Sequence, residues 1–346
     1  MTTRSNSVVF VAAWLCGCAS KGPAPLDEAQ AFSFVARAPN AAFLGVSGTD
    51  SNDVWLAGAD DGSGPLVLHS DGHAWEQRAT GVSGDLWWVH PTAWGPVFFG
   101  GSNALVLRYD GGAFAALDTP GPAAATVFGV WAAADDDVYA VGSVDGKNGF
   151  VWHFDGTAFS AVPLDGVLPV NDHGETPGLF KVWGTSADDV WVVGASSAVL
   201  RGSALAGFTL VQAGGSETLF TVHARDGAVV MVGGGSSGVI LAANENGLVD
   251  ETPAGAPLLQ GVSIAPDASV WAVGYGGSVY HGVDGVFTPV DPGLDFTAAE
   301  SLHSVWVDPS GGVWAAGGNV LTPALDDGLA MHLGGPAPSE EQPSAR

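Results

Sequence analysis

Cysteine is nearly missing: the chain's 346 residues hold two, Cys16 and Cys18, and none follows them. No disulfide can staple the fold, which has to rest on its core. Basic residues are scarce as well. Ten Lys and Arg stand against 36 Asp and Glu, and the formal net charge of −26 makes nucleic acid and anionic lipid headgroups poor partners. So acidic a surface opposes self-association in the absence of cations, and a monomer is expected. Charged residues of both signs amount to only 13% against 47% apolar, which excludes an acidic disordered chain over most of the length and calls for a large core. Long apolar runs are also lacking. The run Val8 to Leu15 is eight residues, no other matches it, and a bilayer-spanning helix needs about 20.

What the N-terminus does contain is a short basic start at Arg4, the apolar run, and small residues around Gly17, so residues 1–17 read as a secretion signal. The sequence Leu15-Cys16-Gly17-Cys18 resembles the lipobox of bacterial lipoproteins, with Cys16 standing where a small uncharged residue is usual. The resemblance implies that Cys18 becomes the lipid-modified N-terminus and holds the chain to a membrane. It implies outer-membrane delivery as well, since Ala19 is not the Asp of inner-membrane retention. Residues 18–30 read as a tether, and residues 336–346, rich in Pro, Ser and Glu, as a disordered tail.

Between them the chain repeats. Val46, Val89, Val130, Val182, Val222, Val262 and Val305 each open a short apolar strand, at spacings of 43, 41, 52, 40, 40 and 43 residues. Each is followed by a second strand ending in Gly, as in Asp53 to Gly58, Asp189 to Gly194 and Ser269 to Gly274. A third strand recurs at Leu66 to His69, Phe150 to His153 and Ser278 to His281, and Asp-Gly pairs such as Asp71-Gly72 then supply hairpin turns that need positive φ. A fourth strand follows each turn except in the seventh unit, and its counterpart stands at the other end of the chain as Ala31 to Arg37. The reading is all-β: a seven-bladed β-propeller over residues 31–335, four antiparallel strands per blade, its ring closed by the N-terminal strand.

The blade signature, Asp189-Val-Trp-Val-Val-Gly194 and its counterparts, resembles bacterial lipoproteins of the β-propeller superfamily whose blades repeat Asp-Val-Trp-Ala-Val-Gly. The resemblance implies the fold and an envelope location; it implies no reaction, because propellers host enzymes, receptors and scaffolds alike.

Strand parity assigns two faces. The turns from first to second and from third to fourth strand share one end and are short, and their carboxylates are turn-formers. The second-to-third and blade-to-blade loops share the other end and vary in length, so function is expected there. The widest spacing reflects an insertion, residues 163–179, with the polar cluster Asn171, Asp172, His173 and Glu175. These residues read as a solvated surface loop, no known ligand spacing being matched, or, with Asp60, Asp61 or Asp145 across the face, as oxygen-rich ligands of a divalent cation, calcium by preference; no other cofactor is expected. His69, His153, His281 and His332, with Arg108 and Arg201 at the same strand position, read as partners of turn carboxylates rather than a metal ring. The repeat tryptophans read as packing between blades, leaving Trp94 and Tyr275 as candidate sugar-stacking rings.

The function expected is that of an exported, lipid-anchored binding or scaffold module without chemistry of its own, engaging an envelope protein or glycan. The alternative is a carbohydrate-active hydrolase or lyase with its site on the variable-loop face, which requires paired carboxylates at a central pocket. Sialidase, copper-radical and serine-hydrolase chemistry all lack their residues: the arginine triad and its turns, a blade cysteine, and a Gly-x-Ser-x-Gly elbow.

Overall fold

A computed structural model of the chain describes residues 31–338. The lipidation residue Cys18, the signal segment, the tether and all but the start of the expected tail lie outside the described residues. The described residues form 28 strands in seven four-stranded sheets, with no helix among them. The first blade is β2 (Phe43–Asp50), β3 (Asp53–Asp60), β4 (Pro65–Ser70) and β5 (Trp75–Gln77), antiparallel in chain order. Five more blades repeat this order. The seventh is β26 (Ser301–Val307), β27 (Val313–Gly318) and β28 (Gly328–Leu333), and its fourth strand is β1 (Ser33–Ala38). Ser33 pairs with His332 and Ala38 with Gly328, so the two ends of the chain share one sheet and the ring closes as expected. Arg37 strengthens the junction through an ion pair to Glu300 at 2.9 Å.

The first strands meet around the axis. β2 touches β6 (Leu86–Pro91), followed in turn by β10 (Ala125–Ala134), β14 (Leu179–Ser186), β18 (Thr218–Arg225), β22 (Leu259–Ile264), β26 and back to β2. The anchor valines lie within the apolar layers between sheets; Val46, Val89, Val130, Val182, Val222, Val262 and Val305 are each 4% exposed or less. Neighbouring blades also interlock through tryptophan. The Trp131 ring lies where a Cβ at Gly184 of the next blade would stand, 2.4 Å away, and Trp306 does the same to Gly48 across the closure, at 2.6 Å. Only glycine admits those rings.

The recurring His and Trp have the structural role read from the sequence. Asp53 Oδ1 accepts the Trp55 indole N–H at 2.8 Å and lies 2.9 Å from His69 Nε2, with the His69 ring stacked on Trp55. His153 meets Asp137 at 2.7 Å, Arg201 donates to Asp189 at 2.6 Å, and Arg108 to Asp110 at 3.0 Å. The seventh blade reaches the same end by another route. Gly312 stands where three of the other blades have Asp53, Asp137 and Asp189, and the carboxylate comes from Asp308 just after β26, accepting from the Ser310 and Gly312 N–H groups and the Trp314 indole. A Cβ on Gly312 would sit 2.4 Å from that carboxylate, so the glycine and the relocated aspartate require one another.

Candidate functional site

The variable-loop face is assembled as strand parity requires. Asp60, at the end of β3, accepts from the N–H groups of Gly62, Gly64 and Gly84, tying the second-to-third loop of the first blade to the loop that leaves that blade. These bonds, Gly84's first, hold its carboxyl below the usual range. On the third blade, β11 (Asp137–Val144) and β12 (Lys147–Phe154) turn through Asp145, at φ 51°, and Lys147 bridges to Pro177 of the long insertion.

The insertion closes on itself. Asn171 Oδ1 accepts from the N–H groups of His173 and Glu175, and its amide donates to Glu175 Oε2 at 3.0 Å. The other Glu175 oxygen meets Lys147 Nζ at 2.9 Å, and Asn171 and Lys147 together keep the carboxyl below its ordinary value. Asp172 and His173 are exposed beside it, as are Asp61 and Asp145 on their own loops. The structure thus joins Asn171 to Glu175 and leaves Asp60 and Asp61 on the first blade's loop and Asp145 on the third blade's turn. Among the described residues no group of three or more acidic, His or Cys side chains is placed to hold a metal ion. The two exposed rings are apart as well. Trp94 lies on the opposite, short-turn face with its indole bonded to Asp135, and Tyr275 is on the variable face beside Ser301.

The axis holds a feature that strand alternation does not anticipate. Every first strand carries a register shift two residues before its anchor valine, so that one residue is left without a partner on the second strand: Leu44, Trp87, Phe128, Phe180, Phe220, Gln260 and His303. A bulge of this kind re-aims a side chain. Here it returns the residue before it, such as Leu86 or Leu179, to the same apolar layer as the anchor three positions on, and leaves the extra residue to the axis. Six of the seven line one cavity of about 230 Å³ at the variable-loop end of the channel, and Leu44 is sealed beside it. Val320 and Leu321, from the loop between β27 and β28, complete the wall.

Five rings follow one another around that wall. His303 to Trp87 is 6.0 Å between centroids, Trp87 to Phe128 5.2 Å, Phe128 to Phe180 5.4 Å and Phe180 to Phe220 5.8 Å. Trp87 to Phe128 and Phe128 to Phe180 are edge-to-face and Phe180 to Phe220 is stacked, contacts that stabilise aromatic clusters beyond their buried area. His303 Nδ1 is 2.6 Å from the Leu44 carbonyl, and burial, with the Lys181 charge nearby, pushes its pKa down to about 4, so the ring is neutral at pH 7. Lys181, one residue past the bulge, lines the same cavity and is 3% exposed. Its Nζ donates to the Phe128 carbonyl at 3.2 Å and lies 3.5 Å from the centre of the Trp88 ring. The cavity lining contains no carboxylate, whereas glycoside hydrolysis requires a pair. Deeper in the channel the residues following the anchors, His90, Trp183, His223 and Trp306 among them, fill the bore.

No protein-family model matches the chain, and no curated protein does. Solved structures match over most of its length. YCF48 bound to D1 peptide superposes with a TM-score of 0.64 at 12% identity, covering 90% of this chain and 97% of that one. The extracellular domain of a hybrid two component system from B. thetaiotaomicron gives 0.63 at 11%, over 87% of this chain and 39% of the other. The GH74 xyloglucanase from Xanthomonas campestris gives 0.58 at 17%, over 83% and 53%. Identities this low speak to the fold, which is the β-propeller in each comparison.

Proposed function

We propose that the chain is an exported, lipid-anchored binding propeller whose ligand enters the axial mouth of the variable-loop face. The observation that carries this reading is the repeated bulge. Seven blades give up one ladder position each, and six of the freed side chains converge on a single aromatic cavity. Apolar cavities with a few inward polar groups are the usual form of ligand sites. Support from other propellers is of a general kind: one holds a peptide, and another is an extracellular domain. Anchoring through Cys18 rests on the lipobox, and export on the segment before it.

Two measurements test the reading. The first is thermal unfolding of the full chain against a panel of small molecules, divalent ions and envelope oligosaccharides. A ligand at a hundredfold excess over its Kd stabilises by about 2.7 kcal/mol, and that shift is expected to vanish in Leu321→Trp, which places a bulky ring on an exposed position of the mouth. A shift that survives Leu321→Trp and disappears in Asn171→Ala would move the site to the insertion and overturn the axial assignment. The second is fractionation in a two-membrane bacterium: the wild-type chain is expected with the outer membrane and Cys18→Ser in the soluble periplasm. Equal partition of the two would sink the lipid anchor.

A further inference from the structure

The axial cavity contains three polar groups that the fold leaves incompletely satisfied. Gln260, 4% exposed, has a buried Oε1 with no donor, and the Trp87 indole N–H is buried with no acceptor. Lys181 has three N–H donors, one of them on the Phe128 carbonyl, and among the described residues no carboxylate lies within ion-pair distance of it. The chain has 36 carboxylates and three lysines, so a lysine buried without an acid partner departs from the expectation for so acidic a sequence. Buried cations are normally paired, and an unpaired one is costly. Burial accordingly drives the Lys181 ammonium well below the lysine range, a cost that an anion beside it would relieve. Each unsatisfied buried group calls for a partner, and the three want different ones: Lys181 and Trp87 want an acceptor, Gln260 wants a donor.

The remaining wall is apolar and mostly aromatic, and the volume, about 230 Å³, falls below the roughly 300 Å³ at which drug-sized ligands begin. One ring with a short polar arm fits; an oligosaccharide does not. Resting on the binding reading above, we propose that the axial mouth takes a small carboxylate that carries one aromatic ring and a hydrogen-bond donor next to the acid. The ring packs among Phe128, Phe180 and Phe220, the carboxylate pairs with Lys181 and accepts from Trp87, and the neighbouring hydroxyl or amide N–H donates to Gln260. Aryl hydroxy acids have these three features, and so does the C-terminal phenylalanine of a peptide.

Calorimetric titration of the full chain tests this with 3-phenyllactate, its neutral amide, 3-phenylpropanoate, which lacks the hydroxyl, and a pentapeptide ending in Phe. We expect one-site binding of 3-phenyllactate, at least tenfold tighter than the amide. Lys181→Met is expected to abolish that difference while melting no lower than wild type, since it removes an unpaired buried charge. Gln260→Leu is expected to erase the preference for 3-phenyllactate over 3-phenylpropanoate. Tighter binding by the pentapeptide with the same dependence on Lys181 supports the same chemistry and identifies its source as a chain terminus. Equal affinity for acid and amide, or discrimination unchanged in Lys181→Met, overturns the carboxylate assignment and leaves axial binding standing. If none of the four binds, the proposal falls, and the Leu321→Trp comparison decides separately whether the mouth binds anything else.

Discussion

Between pH 6.5 and pH 4 two histidines in the bore of the channel are expected to cost the folded protein on the order of 5 kcal/mol of stability, before His303, His332 and the carboxylates contribute. The two are His90 and His223, each 8% exposed; His303 and His332, likewise held near 4 by burial, add to the effect. The His90 and His223 rings face Trp183, at 5.4 Å and 4.4 Å between centroids. Burial pushes His90 down to about 4. It pushes His223 to about 3, aided by the charges of Arg225 and His90. The folded values lie below the 6.5 of a free imidazole, so on acidification the unfolded chain takes up protons that the native state refuses. The stabilisation from the neutral rings is complete above pH 6.5. It falls as pH drops through the window to about 4 for His90 and about 3 for His223. Each pKa unit corresponds to about 1.4 kcal/mol, which sets the size of the effect. Denaturant melts at pH 7, 6, 5 and 4 measure it. The double substitution His90→Gln, His223→Gln is expected to lower stability at pH 7 and to make the slope from pH 6.5 to 4 shallower, the remainder belonging to His303 and His332. An unchanged slope would show that the bore histidines are not the source.

The fold was legible because its period is carried by residues that have few alternatives. A valine within each inner strand, three or more residues after the strand begins, and a glycine at or near the end of each second strand recur through seven units, and the absence of a fourth strand after Leu333 matches its presence before Val46. The axial site was not legible by the same means. Strict alternation places Leu86 and Val89, or Leu179 and Val182, on opposite faces of a strand, yet each pair shares one apolar layer. The three-residue spacing between them is the mark of the bulge, and the aromatic residue within it, Trp87 or Phe180, reads as ordinary core until the bulge is recognised. Lys181 follows the bulge in one blade alone and breaks no repeat rule that would have drawn attention to it. The insertion was legible as a long polar loop. Its Asn171 and Glu175 spend their polar atoms on each other, on backbone N–H groups and on Lys147, pairings that spacing alone does not disclose.

Substituting one residue of the closing strand is expected to open the ring. Val35 is 2% exposed on β1, in the apolar layer that contains Trp75, Trp306 and Trp314, and β1 is the single strand that covers β28. Closure joins chain ends far apart in sequence; the Arg37 to Glu300 ion pair spans 263 residues. A loop of that length costs roughly 1.5 kcal/mol more to close than one blade, a difference that the buried side chains of β1 have to exceed. Val35→Asp places an unpaired carboxylate in that layer, and the expected loss is about 4 kcal/mol or more, enough to detach the strand. Detachment would bare the β28 edge, where Leu329, Met331 and Leu333 alternate with backbone groups ready to pair with another chain. Val35→Asp should therefore elute as oligomers and bind a hydrophobic dye, whereas Val35→Ala, which removes methyl groups without adding charge, should stay monomeric with a lowered melting temperature. A monomeric Val35→Asp that melts with the wild type would mean that the ring holds without its closing strand. The six continuous blades would then account for the stability, and the swapped strand would serve to keep an edge from sticking rather than to hold the circle shut.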